Sequence, residues 1–149
     1  MVLADLLYTR VVEGKLAVPG SLYRNLMVAT LIHDLARKND ELCFNHGLWA
    51  KETKRPIAEK MFLGYQLPEE DWRAIGEAVE AHSRHDPPTH YAQGSLTALL
   101  KDADGLDRVR LSESPDPAYF RHPFTAEYVG LAWDLLDLSL GELELAFFE

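Results

Sequence analysis

The chain has 149 residues, 47% hydrophobic and 26% charged, with a formal net charge of −9 from 15 Lys+Arg against 24 Asp+Glu. That length fits one domain with enough apolar material for a core, and the charge excludes a protein that coats nucleic acid or docks on an anionic membrane, since both need basic surface. One cysteine, Cys43, excludes an internal disulfide framework; the apolar runs are too short for a bilayer, and no basic segment leads into an apolar one at the start. The composition reads as a soluble, cytoplasmic protein.

Residues 2–14 show helical periodicity and end at Gly14. Val18-Pro19-Gly20 is a turn, and Ser21 is placed to cap a second helix. Its stripe runs Leu22, Leu26, Ala29, His33 and Ala36, and Arg37-Lys38-Asn39-Asp40 closes it with cations at the negative end. Asn45 is placed to cap a third helix, which Pro56 should kink or split near Arg55. Pro68 with Glu69, Glu70 and Asp71 starts another, whose stripe is Trp72, Ile75, Val79 and His82.

Arg84 to Pro88 reads as a loop. Gly94-Ser95 then opens a helix with Leu96, Leu99, Leu100 and Ala103 on one face and Asp104 four residues after Leu100. A proline-bearing loop runs from Ser112 to Pro123, and Thr125 is placed to cap a last long helix through Leu140, ended by Gly141. The expected fold is all-α, a single domain over 1–149 built as a compact bundle of five to seven helices. The tail Glu142–Glu149 carries Leu143, Leu145, Phe147 and Phe148, more apolar than a free terminus, so a homo-oligomer contact is expected there, with folding back onto the bundle as the plainer alternative.

Three stripes contain a residue foreign to a core. A lone histidine on such a stripe is most often a satisfied core residue, whereas a buried carboxylate is costly without a partner. His33, His82 and Asp104, on three different helices, point instead to a common meeting place, and a divalent cation is the usual reason for one. Asp34 adds a fourth group beside His33. His46, at the start of its helix beside Gly47, can point back into the bundle; on its own it would be read as a surface histidine.

The order of these motifs resembles the HD-domain superfamily of metal-dependent phosphohydrolases. The resemblance rests on Leu31-Ile32-His33-Asp34-Leu35-Ala36-Arg37, His46-Gly47, His82-Ser83 and Lys101-Asp102-Ala103-Asp104-Gly105-Leu106-Asp107-Arg108, and spans roughly residues 20–111. The two extra histidines, His46 and His82, are similar to the branch that binds two metals. The resemblance implies one or two divalent transition metal ions (Mn, Fe, Co, Ni or Zn). It places His33, Asp34 and Asp104 on the first metal, His46 and His82 on the second, and makes Asp34 the bridging, catalytic ligand. It also implies a further histidine on the first helix; the first histidine of the chain is His33, so the expectation is a ligand upstream of Met1 or a first metal held more weakly.

The implied activity is hydrolysis of a small phosphate ester, and a nucleotide fits the family's habits. Cations must then meet phosphate. Arg37, one turn after His33, is the first candidate for a catalytic and substrate-binding role; Lys101 and Arg108 flank the last motif, and Arg84 follows His82 by two. Asp102 and Asp107 read as solvated or hydrogen-bonding neighbours. His85 and His90 are candidates for a lid or proton donor, and Trp49 and Tyr91 for stacking on a base, with surface and core roles as the plainer alternatives. The competing reading is a degenerate HD domain that binds metal or nucleotide without catalysis. A third is a di-iron oxygenase on the same fold, which the ligand set alone does not separate from a hydrolase.

Overall fold

Each apolar stripe becomes a helix here because another element lies where it can cover that stripe. The computed structural model describes residues 1–39, 43–61 and 66–138, and the regular elements among them are all helical. They are α1 (Val2–Glu13), α2 (Leu22–Ile32), α3 (His46–Thr53), α4 (Arg55–Met61), α5 (Glu69–His82), α6 (Leu96–Asp107) and α7 (Val129–Asp137). Short 3-10 turns stand at Pro88–His90, Arg108–Leu111, Pro117–Tyr119 and Pro123–Tyr128. The chain thus forms the all-α bundle its periodicity predicts, and no helix among the described residues is long and apolar enough to cross a membrane.

α2 is the central element. Leu22, Asn25, Leu26, Met27, Val28, Ala29 and Ile32 are all buried, against α1, α4, α5 and α6. α1 presents Ala4, Leu7 and Val11, spaced three and four apart, to the same core. α5 lies between α3 on one side and α2 and α6 on the other, with Trp72, Ile75, Val79 and His82 buried as the stripe required. Each fully buried side chain such as Leu26, Ile75 or Leu99 contributes about 1.5–3 kcal/mol relative to exposure.

The punctuation is mostly where the sequence puts it. Pro56 is the second residue of α4, and the chain breaks at Lys54 just before it, since Pro has no N–H to continue α3. Ser95 caps α6, its hydroxyl accepting the Ala98 N–H at 3.2 Å. Ser21 and Asn45 hold N-cap positions without a side-chain cap bond. The Ser21 hydroxyl serves Asp71 on α5 instead.

Two boundaries differ from expectation. α2 ends at Ile32 rather than near Asn39: Leu35 N–H bonds to Ile32 O at 3.1 Å and Arg37 N–H to Asp34 O at 2.9 Å, the tighter i−3 spacing. In such a turn residues three apart eclipse, so Ala36 stays on the side of His33 and the stripe reads the same either way. Thr125 does not cap the last helix. It is fully buried within the 3-10 turn Pro123–Tyr128, its hydroxyl donating to Asp102 Oδ2 at 2.9 Å, and α7 begins only at Val129. Leu140, Gly141 and the tail with its expected oligomer contact lie outside the described residues.

Candidate metal centre

Helix ends build the site. α2 delivers His33 as its C-cap and Asp34 just beyond, α3 opens with His46, α5 closes with His82, and Asp104 stands in the last turns of α6. Asp34 is the hub. Its Oδ1 lies 3.1 Å from His46 Nε2 and 3.4 Å from His82 Nε2, while its Oδ2 lies 3.9 Å from His33 Nε2. His33 Nε2 in turn faces Asp104 Oδ1 at 3.8 Å. The five residues that the stripes and the resemblance single out therefore converge. His33, Asp34 and His82 offer ligand atoms that all lie within 4.8 Å of one another, a spacing that could hold a metal ion.

Each imidazole is locked from behind in the same way. His33 Nδ1–H donates to Thr30 O at 2.8 Å, His46 Nδ1–H to Cys43 O at 2.5 Å and His82 Nδ1–H to Val79 O at 2.5 Å. A neutral ring with its proton on Nδ1 has a lone pair on Nε2. All three Nε2 atoms thus turn acceptors toward the Asp34 and Asp104 carboxylates, which are acceptors too. His46 Nε2 and His82 Nε2 are only 2.8 Å apart. A cluster of acceptors facing one another needs positive charge, from a ring proton or a bound cation, and the donor set fits a cation. Imidazole and carboxylate donors could hold a divalent metal ion, and the carbonyls of Thr30, Cys43 and Val79 behind the rings fix their orientation.

The proton affinities follow the same crowding. Burial opposes the charge of Asp34, yet the His82 contact and the positive potential of the three rings hold its carboxyl well below the usual range. Asp104 is likewise lowered, burial being outweighed by His33. His33 is raised: burial resists its charge, but Asp104 and then Asp34 prevail. His46 goes the other way, pulled down by burial and by the adjacent His82.

Gly47 makes the approach of α3 to α5 feasible. A Cβ there would stand 2.3 Å from Val79 O and 2.8 Å from Ser83 Oγ. The Gly47 position is buried against α5, so only a residue without a side chain lets His46 come within reach of His82.

The cations expected to meet phosphate divide. Arg37 places Nη1 3.8 Å from Asp34 Oδ2 and donates Nε–H to Asn39 O, so it is at the site, though in the turn after α2 and not on the helix. Arg108 lies beside a cleft of about 460 Å³ that opens from His82 and Asp104, ion-paired to Glu113. Arg84 lines the same cleft and pairs with Glu80.

Lys101, expected to contact phosphate, lines the same cleft and is engaged with backbone. Its buried ammonium donates to the carbonyls of Ala81, His82 and Arg84 at 2.6, 3.3 and 2.8 Å, closing the C-terminus of α5, and an ammonium has three protons to give. Burial and the nearby Arg121 pull its pKa down to about 8.

Asp102 is not solvated: it is fully buried and accepts from Arg121 N–H, His122 N–H, His122 Nδ1–H and Thr125 Oγ–H at 2.8–2.9 Å. Asp107 is exposed and accepts from Arg110 Nε–H at 2.8 Å. His85 lines the cleft, its ring 5.8 Å from that of Tyr119. His90 is exposed and packs on Tyr91. Tyr91 donates to Asp86 at 2.8 Å, its pKa pushed up to about 12 by burial and that bond, and Trp49 is exposed with Lys38 over its ring.

Three groups at or near the site were not foreseen. Arg110 Nη2 lies 3.4 Å from Asp34 Oδ2, Arg121 lines the cleft, and His122 is fully buried on Asp102. Two of them sit on the loop past α6, where no stripe marks a direction, and Arg110 lies within the 3-10 turn Arg108–Leu111, which no periodicity announces.

No protein-family model, no curated protein and no solved structure matches this chain.

Proposed function

We propose that the chain is a metal-dependent phosphohydrolase of the HD-domain type, acting on a small phosphate ester for which a nucleotide is the first candidate. The observation that carries this reading is the division of Asp34: Oδ1 faces His46 and His82, and Oδ2 faces the His33 side. A carboxylate with one oxygen toward each of two imidazole groups is the arrangement a bridging ligand needs. His33, Asp34 and Asp104 would hold one ion, and Asp34, His46 and His82 a second, from among Mn, Fe, Co, Ni and Zn. A divalent ion held there makes water acidic near neutral pH and offsets negative charge on phosphoryl oxygens.

The chain's own residues do the rest. The carbonyls of Thr30, Cys43 and Val79 hold the ring protons on Nδ1 and so keep Nε2 available. Arg37 and Arg110 place positive charge against the outer oxygen of Asp34, where an incoming phosphate oxygen also gains from it. The net charge of −9 favours a small phosphorylated partner over a long polyanion such as RNA or DNA. A cytoplasmic setting with no membrane partner is part of the same reading, supported by the single cysteine and by the lack of a spanning helix among the described residues.

The test is phosphate release from a nucleotide panel with added Mn, Co or Ni, for the wild type and Asp34→Ala. Metal-dependent release that Asp34→Ala abolishes supports the proposal, and loss of His46 or His82 should cost less than loss of Asp34. A folded wild type that releases no phosphate with any metal turns the reading to a non-catalytic metal- or nucleotide-binding module. An iron-loaded protein with the optical spectrum of a di-iron centre and no phosphate release turns it to an oxygenase.

A further inference from the structure

The cleft that opens from His82 and Asp104 is walled by four cations, Arg84, Lys101, Arg108 and Arg121. Three of them have carboxylate partners: Arg84 with Glu80, Lys101 with Asp86 and Arg108 with Glu113. Arg121 is different. Its guanidinium donates only to backbone, Nη1 to Tyr119 O at 2.5 Å and Nη2 to Asp86 O at 3.3 Å, and its Nε is buried with no hydrogen-bond partner among the described residues. A guanidinium carries five N–H donors, and the two bonds to Tyr119 O and Asp86 O leave terminal N–H groups at the cleft wall for an acceptor.

We propose that Arg121 is the anion-binding residue of this cleft, and that it takes a phosphate group of the substrate. That the anion belongs to a substrate rests on the hydrolase reading; that the cleft binds an anion through Arg121 does not.

The surroundings agree. The backbone that carries Arg121 is pinned rigidly: its own N–H and that of His122 both donate to the buried Asp102, and Gly94 N–H donates to His122 Nε2 at 2.8 Å. Asp102 is two residues from Asp104 on α6, so one helix sets both the candidate metal ligand and the loop that brings the arginine. Lys101 lines the cleft together with Arg121, and the carboxylates of Asp102, Asp86 and Asp104 lie near enough to favour the charged guanidinium. The planar fork of an arginine suits phosphate in particular.

The experiment titrates inorganic phosphate, by calorimetry in EDTA, into the wild type, Arg121→Gln, Arg121→Lys and the control Arg73→Gln, which removes an exposed cation from α5. Thermal melts of all four proteins report the fold. The expected result is binding to the wild type and to Arg73→Gln, a loss of about tenfold or more in Arg121→Gln, and an intermediate affinity in Arg121→Lys, which keeps charge and loses the fork. A wild type that binds no phosphate overturns the proposal. So does an Arg121→Gln or Arg121→Lys protein that is folded and binds as the wild type does. Where the wild type also releases phosphate from an ester, Arg121→Gln should raise KM by a similar factor. Arg121-dependent binding without any hydrolysis upholds the inference and removes the hydrolase reading, so the two fail separately.

Discussion

His46 and His82 bring their Nε2 atoms to 2.8 Å from each other although both rings already donate their Nδ1–H to carbonyls, of Cys43 and Val79. Two lone pairs at that distance repel unless positive charge lies beside them. Asp34, 3.1 and 3.4 Å from the same two atoms, adds a third acceptor to the group. A proton on one ring or a metal ion among these atoms relieves the repulsion, and only the metal serves all three acceptors at once.

Divalent metal should therefore stabilise the fold. At a free concentration about a hundred times the dissociation constant, binding adds about 2.7 kcal/mol, which raises Tm by about 5–10 °C for a chain of this size. Melts with Mn, Co, Ni and Zn against EDTA measure it. Asp34→Ala should abolish the shift; a shift of equal size in that variant would move the metal elsewhere.

Gly47→Ala should reverse the usual sign of its substitution. In an exposed helix interior Ala gains up to about 1 kcal/mol over Gly. Here the added Cβ would meet Val79 O at 2.3 Å, a backbone atom that cannot swing aside. α3 must then retreat from α5, at about 2–3 kcal/mol as for overpacked cores, and His46 retreats with it. Urea unfolding reads the first effect and the metal-dependent Tm shift the second. A stable protein with an undiminished metal shift would refute the account.

Asp71 gives a prediction for acid. It is buried between α2 and α5, bonded by Asn25 at 2.8 Å and paired with Arg24. Burial opposes its charge, but Asn25, Ser21 and Arg24 together lower its pKa below the unfolded value of 3.8. The native state then holds fewer protons than the unfolded one across the window between those two values. Its contribution is complete above 3.8 and is lost as pH falls through the lower, folded value. The stability difference between wild type and Asp71→Asn should be largest at about pH 6 and shrink steadily below about pH 4. Urea midpoints for the pair across that range decide it; a constant difference would exclude the linkage.

Asp102→Asn should cost about 3 kcal/mol. Three of the donors it accepts converge on Oδ2, and an amide oriented to serve them leaves the Arg121 N–H facing its NH2 group. Thr125→Val, which removes one of those donors, should cost about 1 kcal/mol. If Asp102→Asn unfolds at the wild-type urea concentration, the network does not carry the loop.

The sequence makes legible whatever obeys a period. His82 follows Trp72, Ile75 and Val79 at helical spacing and is buried with them, and Asp104 lies one turn past Leu100 on α6 in the same way. His33 reads correctly even though α2 stops before it, because the turn that replaces the helix keeps its direction. Lys101 is harder to read, for a different reason. A lysine beside a motif looks like a surface cation, and only the position of the α5 terminus, which comes from packing, reveals the three carbonyls that claim it. Arg110, Arg121 and His122 lie past the last periodic segment before α7, and their partners Asp34 and Asp102 are distant in sequence. Nothing local encodes such contacts.

Each imidazole of the cluster takes its aim from a carbonyl three residues back in its own stretch of chain, Thr30, Cys43 or Val79. The direction of the ring is therefore a local property, set before any neighbouring helix arrives, and the tertiary fold has only to bring three ready-made arms together at the right spacing. Such a unit is portable. A four-residue segment ending in histidine, transplanted to a helix terminus of an unrelated bundle, carries its own orientation with it, and the designer of a new binding site inherits a translation problem in place of a rotational one.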